Sequence, residues 1–228
     1  MKTVLVVLLL SAICFSGLAQ PDLSGAYGYS RKPEGNTGND KQATGPSGRL
    51  VLLKMEGTTY RFWLDVTVGW PSYERGETDG TIRFVNDTAS FDNTFENAEL
   101  PCVLKFQHSG NAIRIQGGSA SFNCGFGNEV RADGNYPRLK PQPALDNKWL
   151  KQEYPEAPMA IVVSSSAELF QDENCMVPFS PKKFFVKDDK VLNIAETQRS
   201  MYTENISTTG VFSWGWMRKP DVKNISRN

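Results

Sequence analysis

Between Cys102 and Gly127 the chain reads CVLKFQHSGNAIRIQGGSASFNCGFG: two short alternating runs, a tight turn between them, and two cysteines that bracket the pair. Val103, Lys105 and Gln107 alternate with Leu104, Phe106 and His108. Beyond Ser109-Gly110-Asn111, Ile113 and Ile115 alternate with Arg114 and Gln116. A period of two on both sides of a Gly/Asn turn specifies a β-hairpin with one buried face. Cys102 opens the first strand and Cys124 lies past the end of the second. A bridge between them closes a loop of about 20 residues, worth about 3 kcal/mol in the chain-entropy model. Spacing alone does not fix connectivity, and two separate buried thiols are the alternative.

The compartment bears on that choice. Met1 to Ala19 carries Lys2, an apolar run from Val4 to Phe15, and Gly17-Leu18-Ala19 ahead of Gln20, the layout of a cleaved export signal. The run is too short to span a bilayer. Lipid attachment at Cys14 is disfavoured because Ile13, not a small residue, precedes it. Export places the chain in the periplasm or outside the cell, where disulfides persist, and this favours Cys102–Cys124 and leaves Cys175 unpaired. The 25 basic and 25 acidic residues balance, which gives no field for nucleic acid, and no basic amphipathic helix points to a membrane surface.

Taken in order, the chain is a succession of strands. Asp22 to Tyr29 opens it, and Arg31 to Gly48 is polar and Gly-rich, a long loop or lid. Arg49–Met55 and Tyr60–Val68 flank the turn Glu56-Gly57-Thr58, and a wide loop from Gly69 to Gly80 follows. Thr81–Val85 and Thr88–Asp92 meet at Asn86-Asp87, and Glu129–Tyr136 is a last short strand after the central hairpin. About eight short strands with turn-length connections imply a meander, expected to close over residues 20–136 into a barrel, with a sandwich as competitor. Pro137 to Pro158 holds five prolines and reads as a semi-rigid linker with a short helix within Ala144–Tyr154, Leu145 and Trp149 sharing a face. The pattern after it is β again: Ala160–Val163, Ala167–Phe170, Lys183–Val186, Lys190–Ala195, Met201–Glu204 and Gly215–Arg218. The fold class is therefore all-β.

Two pieces of the last third carry a resemblance. Phe184-Phe185-Val186-Lys187-Asp188-Asp189-Lys190-Val191 and the ending Gly215-Trp216-Met217 with Asp221-Val222 are similar to the bacterial SH3-like domain, over residues 158–224. That family usually has Gly where Asp188 stands and a Trp-centred strand where Met201-Tyr202 stands. In the first part, Cys124-Gly125-Phe126-Gly127 with Ala132 to Tyr136 resembles small exported bacterial β-barrel proteins of unassigned role, and Gly25-Ala26-Tyr27 is faintly lipocalin-like. The resemblance implies a small accessory barrel, of the kind that recognises cell wall or peptides.

Nothing in the residues assembles a catalytic set. The single histidine, His108, sits beside a tight turn and reads as a turn residue. Cys175 has only that distant histidine as a base and reads as a small buried residue. Gly125-Phe126-Gly127 leads into Asn128-Glu129-Val130, not a helix with a basic residue, so no phosphate-bearing cofactor is expected, and no metal. Aromatic side chains among polar neighbours are the candidate contacts: Trp70 and Tyr73 on the charged loop, Tyr202 and Trp214 near the end. The expectation is an exported, envelope-associated, non-catalytic binding protein whose partner is peptidoglycan or an envelope protein or peptide. The alternatives are a carrier with a small apolar ligand inside the first barrel and a cell-wall hydrolase.

Overall fold

A computed structural model describes residues 21–33, 37, 41–94, 99–117 and 123–225 of the 228-residue chain. The export signal read at Met1 to Ala19 lies outside the described residues. The first half is a run of antiparallel strands, β1 (Gly25–Ser30), β2 (Ser47–Glu56), β3 (Thr59–Thr67), β4 (Arg75–Arg83), β5 (Thr88–Asp92), β6 (Val103–Ser109), β7 (Ala112–Gln116) and β8 (Gly134–Pro137). Neighbours in sequence pair, but in two sheets, β1-β2-β3-β4 and β5-β6-β7-β8.

The class is all-β, as the pattern indicates, while the hydrogen-bonded ring of a barrel does not form. At one corner Asn86 and Asp87, both left-handed at φ 50° and 62°, make the two-residue turn between β4 and β5. Beyond the single Val85–Thr88 bridge the two strands part. Phe91 of β5 lies over the face of Gly80 on β4, where a Cβ would come within 2.4 Å of its ring, so the two strands stack here and do not run edge to edge. At the other corner β8 ends in Pro137, and one Tyr27–Arg138 bridge joins it to β1. The sheets pack face to face on a core that includes Tyr60, Phe62, Phe84, Phe106, Ile113 and Tyr136. Phe62 meets Phe106 across the gap at 5.2 Å between ring centres. Rings fill that volume, and the interior is a packed core.

Gly69 to Gly80 is a shorter loop than its composition suggests, because β4 begins at Arg75. Before Ile82 its buried inward positions are Gly76 and Gly80, roofed by Phe126 and Phe91 from elsewhere, so the start of the strand carries no apolar alternation of its own. Glu129 to Gly134 is likewise only partly strand: Val130 and Ala132 are buried, yet pairing starts at Gly134. Cys102 and Cys124 are bonded, their Cα atoms 4.6 Å apart.

The second half contains α1 (Asn147–Glu153), β9 (Met159–Val162), β10 (Ser166–Glu168), β11 (Phe184–Val186), β12 (Lys190–Glu196), β13 (Ser200–Ile206), β14 (Phe212–Arg218), a 3₁₀ turn (Lys219–Asp221) and β15 (Val222–Asn224). Five of these strands form a sheet in the order β14-β13-β12-β9-β15, and β10 pairs with β11 in a separate ribbon. Their core includes Val162, Leu169, Phe179, Val191, Met201 and Met217. The helix begins at Asp146, whose carboxylate accepts the Trp149 N–H at 2.9 Å. Seven residues are too few for a helix to persist alone, and this one is held by packing.

That packing joins the halves. On β2, Leu50 and Leu52 face the first core, while Val51 and Leu53 face outward with Ala26 and Trp63 onto α1, Leu192, Ile206 and Phe212. Trp63 meets Trp149 edge-on at 5.1 Å and Phe212 at 6.0 Å. Asn147 ties helix to sheet, its Oδ1 accepting the Ile206 N–H at 2.7 Å. The open edge of β1 is covered by Gln142, whose Oε1 accepts the Ala26 N–H at 2.7 Å and whose Nε2 donates to the Ala26 carbonyl at 2.9 Å. Replacing both Cys102 and Cys124 by Ser is expected to lower stability by about 2–5 kcal/mol, read as a fall in the urea midpoint, with a steeper slope as the unfolded chain expands.

Candidate functional site

The four aromatic candidates do not form one surface. Trp70 and Tyr73 lie on the β3–β4 loop, where the Trp70 N–H reaches the Thr44 carbonyl at 2.7 Å and Tyr73 turns at φ 55°, its ring exposed. Tyr202 and Trp214 lie on β13 and β14 in the other half. These strands pair in regular register, Tyr202 opposite Trp216 and Glu204 opposite Trp214, so no bulge at Gly215 separates the two tryptophans and they share a face. Both candidates are half-buried and turned onto the protein's own rings. Tyr202 is 5.5 Å from Trp216 and 6.5 Å from Trp214, and Trp214 stands edge-on to Phe179 at 4.9 Å. Trp214 packs against both the second core and the seam. Both rings therefore contribute to packing within the sheet. His108 braces two turns, Nδ1 2.9 Å from Asp87 and Nε2 3.0 Å from the Gly110 carbonyl.

A cleft of about 1220 Å³ lies at the far end of β13 and β14, between the Glu173–Met176 turn and the Thr197–Ser200 and Arg218–Pro220 turns. Asp172 shapes one wall, its carboxylate accepting the N–H groups of Met176 at 3.0 Å and Val177 at 2.6 Å, which lifts Met176 to the rim at 78% exposure. Ser200 ties the walls together, its Oγ donating to the Glu173 carbonyl at 2.5 Å. Cys175, at φ 53°, is buried in the floor, and burial pushes its thiol above the ordinary range, away from the reactive thiolate. Three cations line the cleft, Arg199, Arg218 and Lys219, against one carboxylate, Glu173. The Arg218 guanidinium lies 4.7 Å from the Phe170 ring, a stacking that fixes its direction, and Lys219 stands 3.5 Å from Glu196. With Lys219 engaged by Glu196, the exposed Arg199 and Arg218 are the groups that could take an anion here, and the lining contains no paired base and nucleophile.

A second polar cluster sits in the seam. Arg61 on β3 shares the face that carries Trp63, and its guanidinium donates to the Tyr154 hydroxyl and pairs with Asp79. Tyr154 also accepts the Trp63 indole N–H at 3.1 Å and donates to Asp79 at 3.3 Å. Opposite stands Glu204, fully buried, with one carboxylate oxygen 3.4 Å from Arg61 Nε and neither oxygen hydrogen-bonded. Burial, offset in part by Arg61, pushes its carboxyl up to about 7, and the Asp79 charge adds to the rise. Desolvation also raises the Tyr154 hydroxyl, with the Glu204 charge second.

Sequence reading misses both groups. Arg199, Arg218 and Lys219 are ordinary surface residues until the turns bring them together. Arg61 does leave a trace, a charge between Tyr60 and Phe62 and next to Trp63 on its own face, whereas Glu204, between Thr203 and Asn205, leaves none. Comparison with protein-family models finds no match, and comparisons with curated proteins and with solved structures find none either. Tyr154→Phe is expected to cost about 1–3 kcal/mol, because it leaves the Trp63 indole N–H and an Arg61 N–H unpaired in the seam. Urea unfolding at neutral pH reads that loss.

Proposed function

We propose that the protein is an exported, envelope-associated binding protein, periplasmic or extracellular, that holds peptidoglycan through the cleft of its second half. The single observation behind this reading is the placing of Arg199, Arg218 and Lys219 around the buried Cys175 of the floor and the exposed Met176 of the rim. Peptidoglycan stems carry free carboxylates on short peptides with small apolar side chains, which matches cations over an apolar floor. The disulfide accords with an oxidising compartment, and among the described residues no helix is long and apolar enough to cross a membrane. The SH3-like reading of residues 158–224 draws support from the last strand, β15, which follows a 3₁₀ turn and returns to pair with β9.

In this reading Tyr202 and Trp214 hold the sheet that presents the cleft, and Trp70 and Tyr73 form a separate aromatic loop. The role is binding and not catalysis: the one thiol of the cleft is buried, and the histidine is engaged elsewhere.

The test is co-sedimentation of the processed chain with purified insoluble peptidoglycan. The expected result is pelleting at low salt that weakens as ionic strength rises and is lost in an Arg199→Ala/Arg218→Ala variant. Pelleting kept by that variant and lost with Trp70→Ala/Tyr73→Ala moves recognition to the aromatic loop. No pelleting of the unaltered chain removes peptidoglycan as the partner.

A further inference from the structure

The seam between the two halves contains a buried acid that its surroundings do not satisfy. Glu204 is fully buried, and its two oxygens and Arg61 Nε lack hydrogen bonds. The other guanidinium contacts of Arg61 go to Tyr154 and Asp79. The ionised carboxylate has therefore given up water for a single off-line attraction at 3.4 Å. Protonated, it gives up far less, and Arg61 keeps Asp79 as its counter-charge.

We infer that the seam is a proton-operated joint, in which uptake of a proton by Glu204 clamps the two halves together and its release loosens them. The groups that face Glu204 come from every element around it: Arg61 on β3, Asp79 on β4, Tyr154 after α1, and Tyr202 on its own strand. Lys151 on α1 takes no part, because its Nζ is spent on carbonyls that include Pro155 at 2.9 Å. Asp79 holds a negative charge near the site and so favours the protonated acid.

The direction follows from linkage. Glu204 binds its proton more tightly in the folded chain, at about 7, than at its ordinary value of 4.5, so folding takes up a proton between those limits. Stability contributed by this group is complete below the lower value and is lost as pH rises through the upper one. Acid tightens the joint, and alkali loosens it, the reverse of the usual surface carboxylate.

Three variants and two readouts test this. His108→Gln is placed in every chain, so that the lone histidine contributes no proton uptake of its own. Hydrogen exchange, corrected for intrinsic rates, follows α1 and β13 from about pH 5 to about pH 8, where protection should fall by up to about tenfold per unit. Glu204→Gln should hold protection flat and exceed the parent at the alkaline end, while Glu153→Gln, on the outer side of α1, should keep the parent's slope. A parent with no slope, or a Glu204→Gln chain that keeps it, overturns the inference. Should Glu204→Gln fail to fold, the carboxyl carbon signal of Glu204 in the parent decides: a midpoint near 7 supports the joint, and one near the ordinary 4.5 overturns it.

Discussion

The structure depends on one sheet being apolar on both faces. Leu50 and Leu52 of β2 enter the first core, and Val51 and Leu53 enter the seam. An antiparallel sheet usually leaves one face to water. This one is the middle of three layers, with β5–β8 on one side and α1 with the second half's sheet on the other. Without that second apolar face neither the short helix nor the orientation of the last third has anything to pack on. Trp63 is the centre of it, in contact with Trp149, Tyr154 and Phe212.

What could be read in the chain and what could not divide along physical lines. The central hairpin is legible because Leu104, Phe106, Ile113 and Ile115 alternate on strands with one solvated face. The start of β4 is not, because its core positions are glycines filled by Phe91 and Phe126, and a pattern based on side chains sees nothing there. The run LVLL in β2 signals burial on both faces but not what covers the second one. Trp214 and Tyr202 read as contact residues by composition, yet cross-strand register turns them onto neighbouring rings. The cleft cations come from three separate turns, and no local spacing announces them.

Charge in this protein is arranged by depth. On the outer face of the first sheet, Arg75 pairs with Asp65 and Glu77, and Arg49 with Glu153, all partly exposed and each worth little. In the seam one pair is dry and incompletely bonded, so its energy hangs on protonation. At the cleft the cations Arg199 and Arg218 lie open to whatever arrives. One strand spans the last two regimes, with Ser200 at the cleft and Glu204 in the seam.

Gln142 imitates a strand. With one amide it meets both the donor and the acceptor of Ala26, so that point on β1 has no free backbone group for a stranger to pair with. An antiparallel protein with an open strand edge is exposed to edge-to-edge association. Here the guard is the Gln142 side chain of a proline-flanked segment, Pro141-Gln142-Pro143, together with the Leu139 N–H, which also reaches the Ala26 carbonyl at 2.9 Å. The proline-rich stretch thus serves solubility as much as connection: it closes a surface that would otherwise template fibres.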